Sequence, residues 1–380
     1  MDVSRNKSRI VVTCLNRLMP WVKQEITALG FGINGTFATG LELHGTINDC
    51  IRLNLNLRCA SNVLYLLRDF TARNPEEVYL QVKSFPWEVV IQPDGYFSVT
   101  SHVQHPTVNN NMFVNMKVKD AIADRFREQT GVRPNSGAGL QGVVVHLFWK
   151  ENQASLFLDT TGPSLARHGY RKKPGAAPML EALAAAAVMA GKWNKKTPFV
   201  NPMCGSGTLA IEAALLATNR KPGLLRQAYA FQHVIGYDAA FYQEQMEQLK
   251  RQVMAQGPTI IATDLRTEAI ADARYNAALA GVDHLIRFDV CDFSKTRVPA
   301  GEKGVIYFNP AYGERMGELA ELEKVYSRIG DFMKNNCKGY TGYVFTGNPD
   351  LAKNIRLKAS QKTKFYSARI DCVLLEYHLY

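Results

Sequence analysis

The chain has 380 residues, 46% of them hydrophobic, with seven cysteines and a formal net charge of +11. The length exceeds one ordinary core and predicts two or three domains. No apolar run reaches the roughly 18 residues of a membrane span, and the odd cysteine count without C-x-x-C spacing argues against both a disulfide framework and a structural zinc site.

The polar, basic start from Met1 to Arg9 has no apolar stretch behind it and does not read as a secretory leader. The expectation is a cytoplasmic protein with no membrane and no metal partner. A basic chain is biased toward polyanions such as RNA. Three clusters carry much of the charge: Lys117, Lys119, Arg125, Arg127 and Arg133; Arg167, Arg171, Lys172 and Lys173; and Lys353, Arg356, Lys358, Lys362 and Lys364. Each also reads as an ordinary solvated face.

In chain order, Ile10–Cys14 reads as a strand and Trp21–Leu29 as a helix stopped by Gly30. Phe37–Leu43 and Ile51–Leu57 alternate as strands, the second on Ile51, Leu53, Leu55 and Leu57. Val63–Phe70 reads as a helix. Glu88–Ile91 and Tyr96–Val99 read as strands joined at the Pro93-Asp94-Gly95 turn. Lys117–Gln129 reads as a helix with Ala121, Ile122 and Phe126 on its apolar stripe. Gly142–Trp149 and Ser155–Leu158 read as strands.

The texture changes at Lys173. Lys173–Pro178 reads as a linker, and Pro178 opens an alanine-rich helix to about Ala190. Strands then alternate with helices: strand Phe199–Val200, a helix from Thr208, a helical insert Phe241–Met254, strand Thr259–Thr263, helix Glu268–Leu279, strands Ile286–Val290 and Val305–Phe308, helix Glu318–Asn335, and strand Gly342–Thr346. Ser367–Tyr380 adds a closing strand or hairpin. This alternation predicts an α/β fold with a doubly wound, mostly parallel sheet.

Ligands of such sheets sit at the carboxyl ends of the strands. Asn201-Pro202-Met203-Cys204-Gly205-Ser206-Gly207-Thr208 turns from the first of these strands into a helix, and its glycines let backbone amides approach a ligand. Asp264 ends the next strand, where a carboxylate can accept both ribose hydroxyls of a nucleoside. Asp292 follows a third and is placed to accept from an adenine amino group. Both aspartates also read as helix caps. No Gly-Lys-Ser/Thr follows the glycines, and Asp264 lies far beyond the roughly 20 residues of a dinucleotide fingerprint. S-adenosylmethionine, which carries no phosphate, fits better than ATP or NAD. Asn201 and the backbone around Cys204 could meet its methionine tail. Cys204 as a nucleophile is disfavoured, because no histidine stands near it in sequence.

Asn309-Pro310-Ala311-Tyr312 ends the fourth strand. Methyl transfer to an exocyclic base amine needs acceptors aimed at the N–H bonds, since positive charge grows on nitrogen during attack. The Asn309 side-chain oxygen and the Pro310 carbonyl form such a pair, with proline restricting both residues. Tyr312 offers a face for a base taken out of its helix. An Asn-Pro turn at a strand end is the plainer reading.

Asn201-Pro-Met-Cys-Gly-Ser-Gly-Thr-Leu followed by Asn309-Pro-Ala-Tyr-Gly-Glu-Arg resembles the THUMP-domain RNA guanine-N2 methyltransferases, both those acting on 23S ribosomal RNA and their tRNA-modifying relatives. Ser164–Arg171, Pro178–Ala187, Lys221-Pro222-Gly223, Asn54–Val63 and Lys117–Ile122 are similar to further segments of that family. The resemblance implies a ferredoxin-like unit over 1–57, an RNA-binding THUMP domain over 58–163 and a class I methyltransferase domain over 164–380. It implies Asn309, Pro310 and Tyr312 as catalytic residues. Asn201, Cys204, Gly205, Gly207, Asp264, Asp292 and Asn309 would meet S-adenosylmethionine, and Lys117, Lys119, Arg125 and Arg171 would meet RNA. Two departures stand out: Ala311 where a second proline is common, and His168 where arginine is common. The function implied is methylation of a guanosine N2, with ribosomal RNA favoured and tRNA the alternative. DNA adenine-N6 methylation uses a similar clamp, and a non-catalytic RNA-binding assembly factor is the reading from a different class.

Overall fold

A computed structural model of the chain describes residues 6–106, 108, 110–174, 179–301, 303–313 and 316–380. The chain divides into two units. The first takes in the residues through Cys14, Val22–Leu165 and Arg226–Gln248; the second takes in Leu15–Trp21, Ala166–Leu225 and Leu249–Tyr380.

The first unit runs β1 (Ser8–Cys14), α1 (Met19–Ala28, its first turn counted with the second unit), β2 (Gly35–Phe37), β3 (Gly40–Gly45), α2 (Ile47–Asn56), β4 (Ala60–Thr71), α3 (Pro75–Lys83), β5 (Tyr96–Gln104), α4 (Asn111–Thr130), β6 (Asn135–Ser136), β7 (Val143–Lys150) and β8 (Gln153–Asp159). One sheet of eight strands in the order β2-β3-β1-β4-β8-β7-β5-β6 joins them. Its pairings are antiparallel except β5 with β6 and β7.

Two expected elements change type here. The strand expected over Ile51–Leu57 is the helix α2. A capping box opens it: the Thr46 hydroxyl accepts from the Asp49 amide, and the Asp49 carboxylate accepts from the Thr46 amide. Of its buried residues, Ile47, Cys50, Ile51, Asn54 and Leu55 follow the helical period, and Leu53 is buried as well. The helix expected over Val63–Phe70 is β4, a twelve-residue strand paired with β1 on one side and β8 on the other. Pairing on both edges overrides the local leucine content. Glu88–Ile91 is not a strand either; Trp87–Val89 forms a 3-10 turn. Phe37–Leu43 is split between β2 and β3. The helix α4 begins six residues before Lys117, capped by Asn110 and closed by Gly131 at φ +72°.

The segment Arg226–Gln248 belongs to this first unit, although the sequence reads it as part of the carboxyl-terminal domain. The Phe231 amide donates to the Thr160 carbonyl at 3.0 Å, and the Ile235 amide donates to the Val90 carbonyl at 3.0 Å. Arg226 donates to the Thr161 carbonyl at 2.9 Å.

The second unit runs α5 (Glu181–Ala190), β9 (Phe199–Pro202), α6 (Thr208–Ala217), then after α7 (Ala239–Arg251) continues through β10 (Ile260–Asp264), α8 (Thr267–Ala280), β11 (Ile286–Val290), β12 (Val305–Phe308), α9 (Met316–Asn336), β13 (Thr341–Thr346), α10 (Pro349–Lys353), β14 (Gln361–Ser367) and β15 (Ile370–His378). The sheet order is β11-β10-β9-β12-β13-β15-β14. The pairings are parallel except those of β15, which is antiparallel to both neighbours. This is the doubly wound sheet that the alternation predicts, closed by a hairpin. Pro178, expected to open α5, lies outside the described residues, as do Glu314 and Arg315. No helix among the described residues is long and apolar enough to cross a membrane.

Alternation along the strands sorts the core. Ile306, Phe308, Val344 and Leu375 join Tyr326, Ile329, Phe332 and Met333 of α9 in one apolar cluster. On the other face, rings form a ladder across three strands. Phe199 of β9 stacks on Tyr307 of β12 at 4.9 Å, and Tyr307 stacks on Tyr343 of β13 at 4.5 Å. The Tyr307 hydroxyl reaches the Ala187 and Val188 carbonyls at the end of α5. Each stacked pair adds about 0.5–1.5 kcal/mol beyond its burial.

One titratable group in the first unit gives a test. The His146 Nδ1 lies 2.8 Å from the Thr100 hydroxyl, and burial, followed by the charge of His102, holds its pKa down at about 4. A histidine depressed on folding favours the native state above its unfolded pKa near 6.5, and that contribution is lost as pH falls through about 4. The stability difference between wild type and His146→Gln should therefore shrink by about 3 kcal/mol between pH 7 and pH 4. Urea unfolding of both proteins across that range measures it; a constant difference would contradict the depressed pKa.

Candidate active site

The turn out of β9 is set by backbone geometry. Met203, Gly205 and Gly207 take positive φ of 57°, 55° and 84°. The Cys204 amide donates to the Thr263 carbonyl at 2.9 Å, and the Gly207 amide donates to the Cys204 carbonyl at 2.9 Å. The two glycines have different jobs. A Cβ on Gly205 would meet nothing within 4 Å, so this position faces open space. A Cβ on Gly207 would stand 2.9 Å from the Ala273 Cβ, so α6 and α8 pack together through it. Cys204 is half-buried, and burial, followed by the nearby Asp264, pushes its thiol pKa upward. A thiol held protonated is a poor nucleophile.

The turn out of β12 lies beside it. β9 and β12 are adjacent and parallel, with Phe199 opposite Val305 and Val200 opposite Ile306. The Asn201 side chain ties their ends: its Nδ2 donates to the Tyr307 carbonyl at 2.9 Å. That contact fixes the amide's orientation, so Oδ1 must point away. Among the described residues, Asn201 Oδ1 is buried and has no hydrogen-bond partner. Beyond Tyr307, Asn309 is half-buried and Pro310 is buried. Among the described residues, no group hydrogen-bonds the Asn309 side chain or the Pro310 carbonyl.

Tyr312 is half-buried and packs against the α9 core. Its ring lies on Gly347 at the end of β13, where an added Cβ would come within 2.8 Å of Cε2. Burial, followed by the Cys372 thiol, pushes its pKa up to about 12. The Cδ2–Cε2 edge of this ring is therefore committed to packing, which the sequence did not show.

The two aspartates end β10 and follow β11, as the sequence expects. Asp264 Oδ2 accepts from the Gly205 amide at 3.0 Å and Oδ1 from the Arg266 amide at 3.0 Å. It braces the glycine turn and keeps further lone pairs free. Asp292 caps the short turn that follows it, accepting from the Ser294 amide at 2.9 Å and from Arg328 at 2.7 Å. Burial opposes ionisation of Asp292, but Arg328 and Ser294 together outweigh it and hold the carboxyl at about 2. Both capping readings are thus present in the geometry.

Several supports escaped the sequence reading. Asn276 of α8 is fully buried; it donates to the Ser206 carbonyl at 3.2 Å and the Lys173 carbonyl at 2.8 Å, and accepts from the Lys172 and Lys173 amides. A lone asparagine on the apolar face of an alanine-rich helix was the available signal. Glu212 of α6 accepts from the Tyr170 hydroxyl at 2.9 Å and lies 2.7 Å from the His168 Nδ1, all three buried. His168 thus occupies a carboxylate-binding position where the resemblance leads one to expect arginine.

The residues expected to meet RNA are dispersed. Arg171 is half-buried and donates to Glu181 at 2.8 Å and to the Met179 carbonyl at 2.8 Å, so it braces the start of α5. Lys117, Lys119 and Arg125 lie on α4 of the first unit. Lys117 pairs with Glu76 at 2.6 Å and Arg125 with Glu88. Among the described residues, Lys119 has no ion pair.

The strand order, the glycine turn and the neighbouring Asn-Pro corner define a class I methyltransferase domain, preceded by ferredoxin-like and THUMP domains. The chain belongs to the RMKL-like methyltransferase family, which matches residues 168–376. A THUMP domain matches residues 72–159 and an RlmL ferredoxin-like domain matches residues 9–64. The chain is 36% identical over 370 residues to the ribosomal RNA large subunit methyltransferase K/L of Syntrophotalea carbinolica, covering 95% of this chain and 52% of that protein. It therefore spans about half the length of this curated relative. Among solved structures it is similar to SMU.472, classed as a methyltransferase and complexed with SAH, with a TM-score of 0.88 and 24% identity over 99% of both chains. It is likewise similar to a possible methylase from Clostridium difficile 630, with a TM-score of 0.88 and 26% identity over 99% of both.

The two glycines should separate by experiment. Gly207→Ala combines a left-handed backbone with a blocked helix contact and should destabilise the second unit by about 2–4 kcal/mol. Gly205→Ala carries only the backbone strain, about 1 kcal/mol, but puts a methyl group into the open space. It should weaken S-adenosylmethionine binding more than it lowers stability. Urea unfolding and titration calorimetry on both variants check this; equal effects on stability would show that Gly205 is not at an open crevice.

Proposed function

We propose that the chain is an S-adenosylmethionine-dependent RNA methyltransferase that modifies the exocyclic N2 of a guanosine, with large-subunit ribosomal RNA as substrate. The observation that carries this reading is the unengaged pair of acceptors, the Asn309 carboxamide and the Pro310 carbonyl, one strand from the glycine turn. The methyltransferase family and the THUMP domain support an RNA acceptor over DNA, and the K/L relative supports ribosomal RNA.

The residues fit the cofactor on three counts. Gly205 faces open space, Asp264 and Asp292 retain acceptor capacity, and Asn201 Oδ1 is a buried acceptor lacking a donor. When bound, S-adenosylmethionine supplies a methyl group on a sulfonium, whose carbon–sulfur bond breaks with the electron pair passing to sulfur. Asn309 Oδ1 and the Pro310 carbonyl would accept the two N–H bonds of the base amine. Holding both N–H bonds turns the nitrogen lone pair away from the ring and toward the methyl group. The same oxygens stabilise the positive charge that builds on nitrogen. One amine proton then leaves to water, and no strong base is needed. Tyr312, anchored by its edge at Gly347, would present a ring face to the extruded base.

Asn309→Ala should lower the rate of methyl transfer by about 100- to 1,000-fold while leaving S-adenosylmethionine affinity within about twofold, the ordinary range for a removed contact worth under about 0.5 kcal/mol. Tyr312→Phe should retain most activity and Tyr312→Ala should lose it. Methyl transfer to unmodified ribosomal RNA, calorimetry with the cofactor, and mass mapping of the methylated nucleoside test the reading together. N2-methylguanosine in ribosomal RNA is the expected product. The same product in transfer RNA would reassign the substrate, N6-methyladenosine would reassign the base, and cofactor binding without transfer to any RNA would leave an assembly factor.

A further inference from the structure

The third basic cluster has no role in the site described above. Lys353 ends α10, Arg356 and Lys358 follow it, and Lys362 and Lys364 lie on β14, the edge strand of the second sheet. All five are exposed, as is Arg369 in the β14–β15 turn.

The fold gathers them on one side of the sheet. Leu351, Ala352 and Ile355 seat α10 and its exit in the same apolar cluster as Leu375 of β15, with Val373 packed against it. Leu375 is the register partner of Lys362, and Val373 is the partner of Lys364. Directly paired residues project from the same face of a sheet. Lys362 and Lys364 therefore emerge on the face that α10 covers, next to Lys353, Arg356 and Lys358. This face adjoins the Asn-Pro corner. Gly347, on which the Tyr312 ring lies, directly precedes Asn348, the cap of α10. An added Cβ at Gly347 would also meet Ile370, which follows Arg369, at 3.0 Å.

The charge on this face is not neutralised internally. Among the described residues, no carboxylate lies within ion-pair distance of Arg356, Lys358, Lys362, Lys364 or Arg369. Lys353 pairs with Asp350 at 2.7 Å, but both side chains are largely exposed, and such a pair contributes little. The face also lacks exposed large hydrophobics, none of which falls between residues 349 and 370. A membrane-surface site combines basic and apolar groups, so a hydrophilic polyanion fits better.

We propose that this face of α10 and β14 binds the phosphate backbone of the substrate RNA next to the nucleotide held at Asn309 and Tyr312. It rests on the reading of the chain as an RNA methyltransferase. It differs from the sequence expectation, which put the RNA contacts on α4 and Arg171.

The test is a combined variant, Arg356→Gln, Lys358→Gln, Lys362→Gln and Lys364→Gln, in the full chain. The probe is large-subunit ribosomal RNA transcribed in vitro, with binding measured over a range of salt. The variant should bind at least about tenfold more weakly near 0.1 M salt, and its plot of log affinity against log salt should be shallower by about 3. Cofactor affinity and unfolding midpoint should match wild type. A second variant, Lys362→Glu with Lys364→Glu, should weaken binding further. Unchanged affinity and slope, or wild type that binds no RNA, would overturn the proposal. So would loss of binding to phosphatidylglycerol vesicles with RNA binding intact, which would mark a membrane face. Self-association of the variant with RNA affinity unchanged would show that the lysines only guard an edge strand. Methyl transfer by wild type, measured separately, reports whether the underlying enzymatic reading holds.

Discussion

The site depends on the pairing of β9 with β12. Each strand leaves the sheet into a turn that its own residues specify, glycines in one case and proline in the other. Neither turn alone amounts to a reactive centre. They form one candidate site because the two strands are neighbours, run the same way and are held level. The Phe199–Tyr307–Tyr343 ladder fixes that level from one face, and the Asn201 bond to the Tyr307 carbonyl fixes it at the strand ends. A one-residue slip of β12 would reverse every side chain on it and move Asn309 to the other face. The aromatic ladder makes such a slip costly. Phe199 and Asn201 of β9 thus help determine where Asn309 and Pro310 stand.

Bracing also explains why charged and polar groups cluster around the glycine turn without being free. Asp264 holds the Gly205 amide, Asn276 holds the Ser206 carbonyl, and Glu212 on α6 is tied to His168 and Tyr170. A buried carboxylate is tolerable only when donors surround it, so each of these contacts also locks the segment that supplies the donor. The result is a turn whose amides are oriented before any ligand arrives. Such preorganisation reduces the ordering cost of binding. The exceptions are informative. Among the described residues, Asn201 Oδ1 and Glu212 Oε2 are buried without a hydrogen-bond partner, each at a cost of about 1–3 kcal/mol, and the half-buried Asn309 carboxamide and the Pro310 carbonyl also stay unengaged.

The second unit was legible because its signals are local. Most strands are short apolar runs followed by helices, and the candidate site residues sit where one gives way to the other; the short α10 and the polar strand β14 carry no such signal and were not expected. Asp264, Asp292 and Asn309 needed no knowledge of partners to be placed. The first unit was less legible because its elements are decided by contacts distant in sequence. Ile51–Leu57 satisfies a strand's alternation and a helix's face at once, and only the Thr46–Asp49 box, an overlooked local cue, separates the two. Val63–Phe70 is a strand because β1 and β8 flank it. Partner identity was the other hidden quantity. Nothing in the sequence around Arg171 says that Glu181 will take its guanidinium, or that Gly347 will receive the Tyr312 ring.

The same point governs the charges. A lysine count measures what a chain could offer to a polyanion, whereas binding depends on what remains after internal pairing. On α4, Lys117 and Arg125 meet Glu76 and Glu88 across neighbouring elements, and Arg127 meets Asp124 one turn back. That helix looks basic in sequence but is close to neutral in space. Around α10 and β14 the few nearby carboxylates are already taken, Asp371 by Arg17 at 2.7 Å and Asp350 by Lys353. Of the remaining cations, Lys362 and Lys364 stand on β14, which among the described residues is an edge strand. Counterion release rewards such unpaired, exposed charge and gives nothing for charge already neutralised. The electrostatic share of RNA affinity should therefore follow the pairing pattern of each surface rather than its count of basic residues.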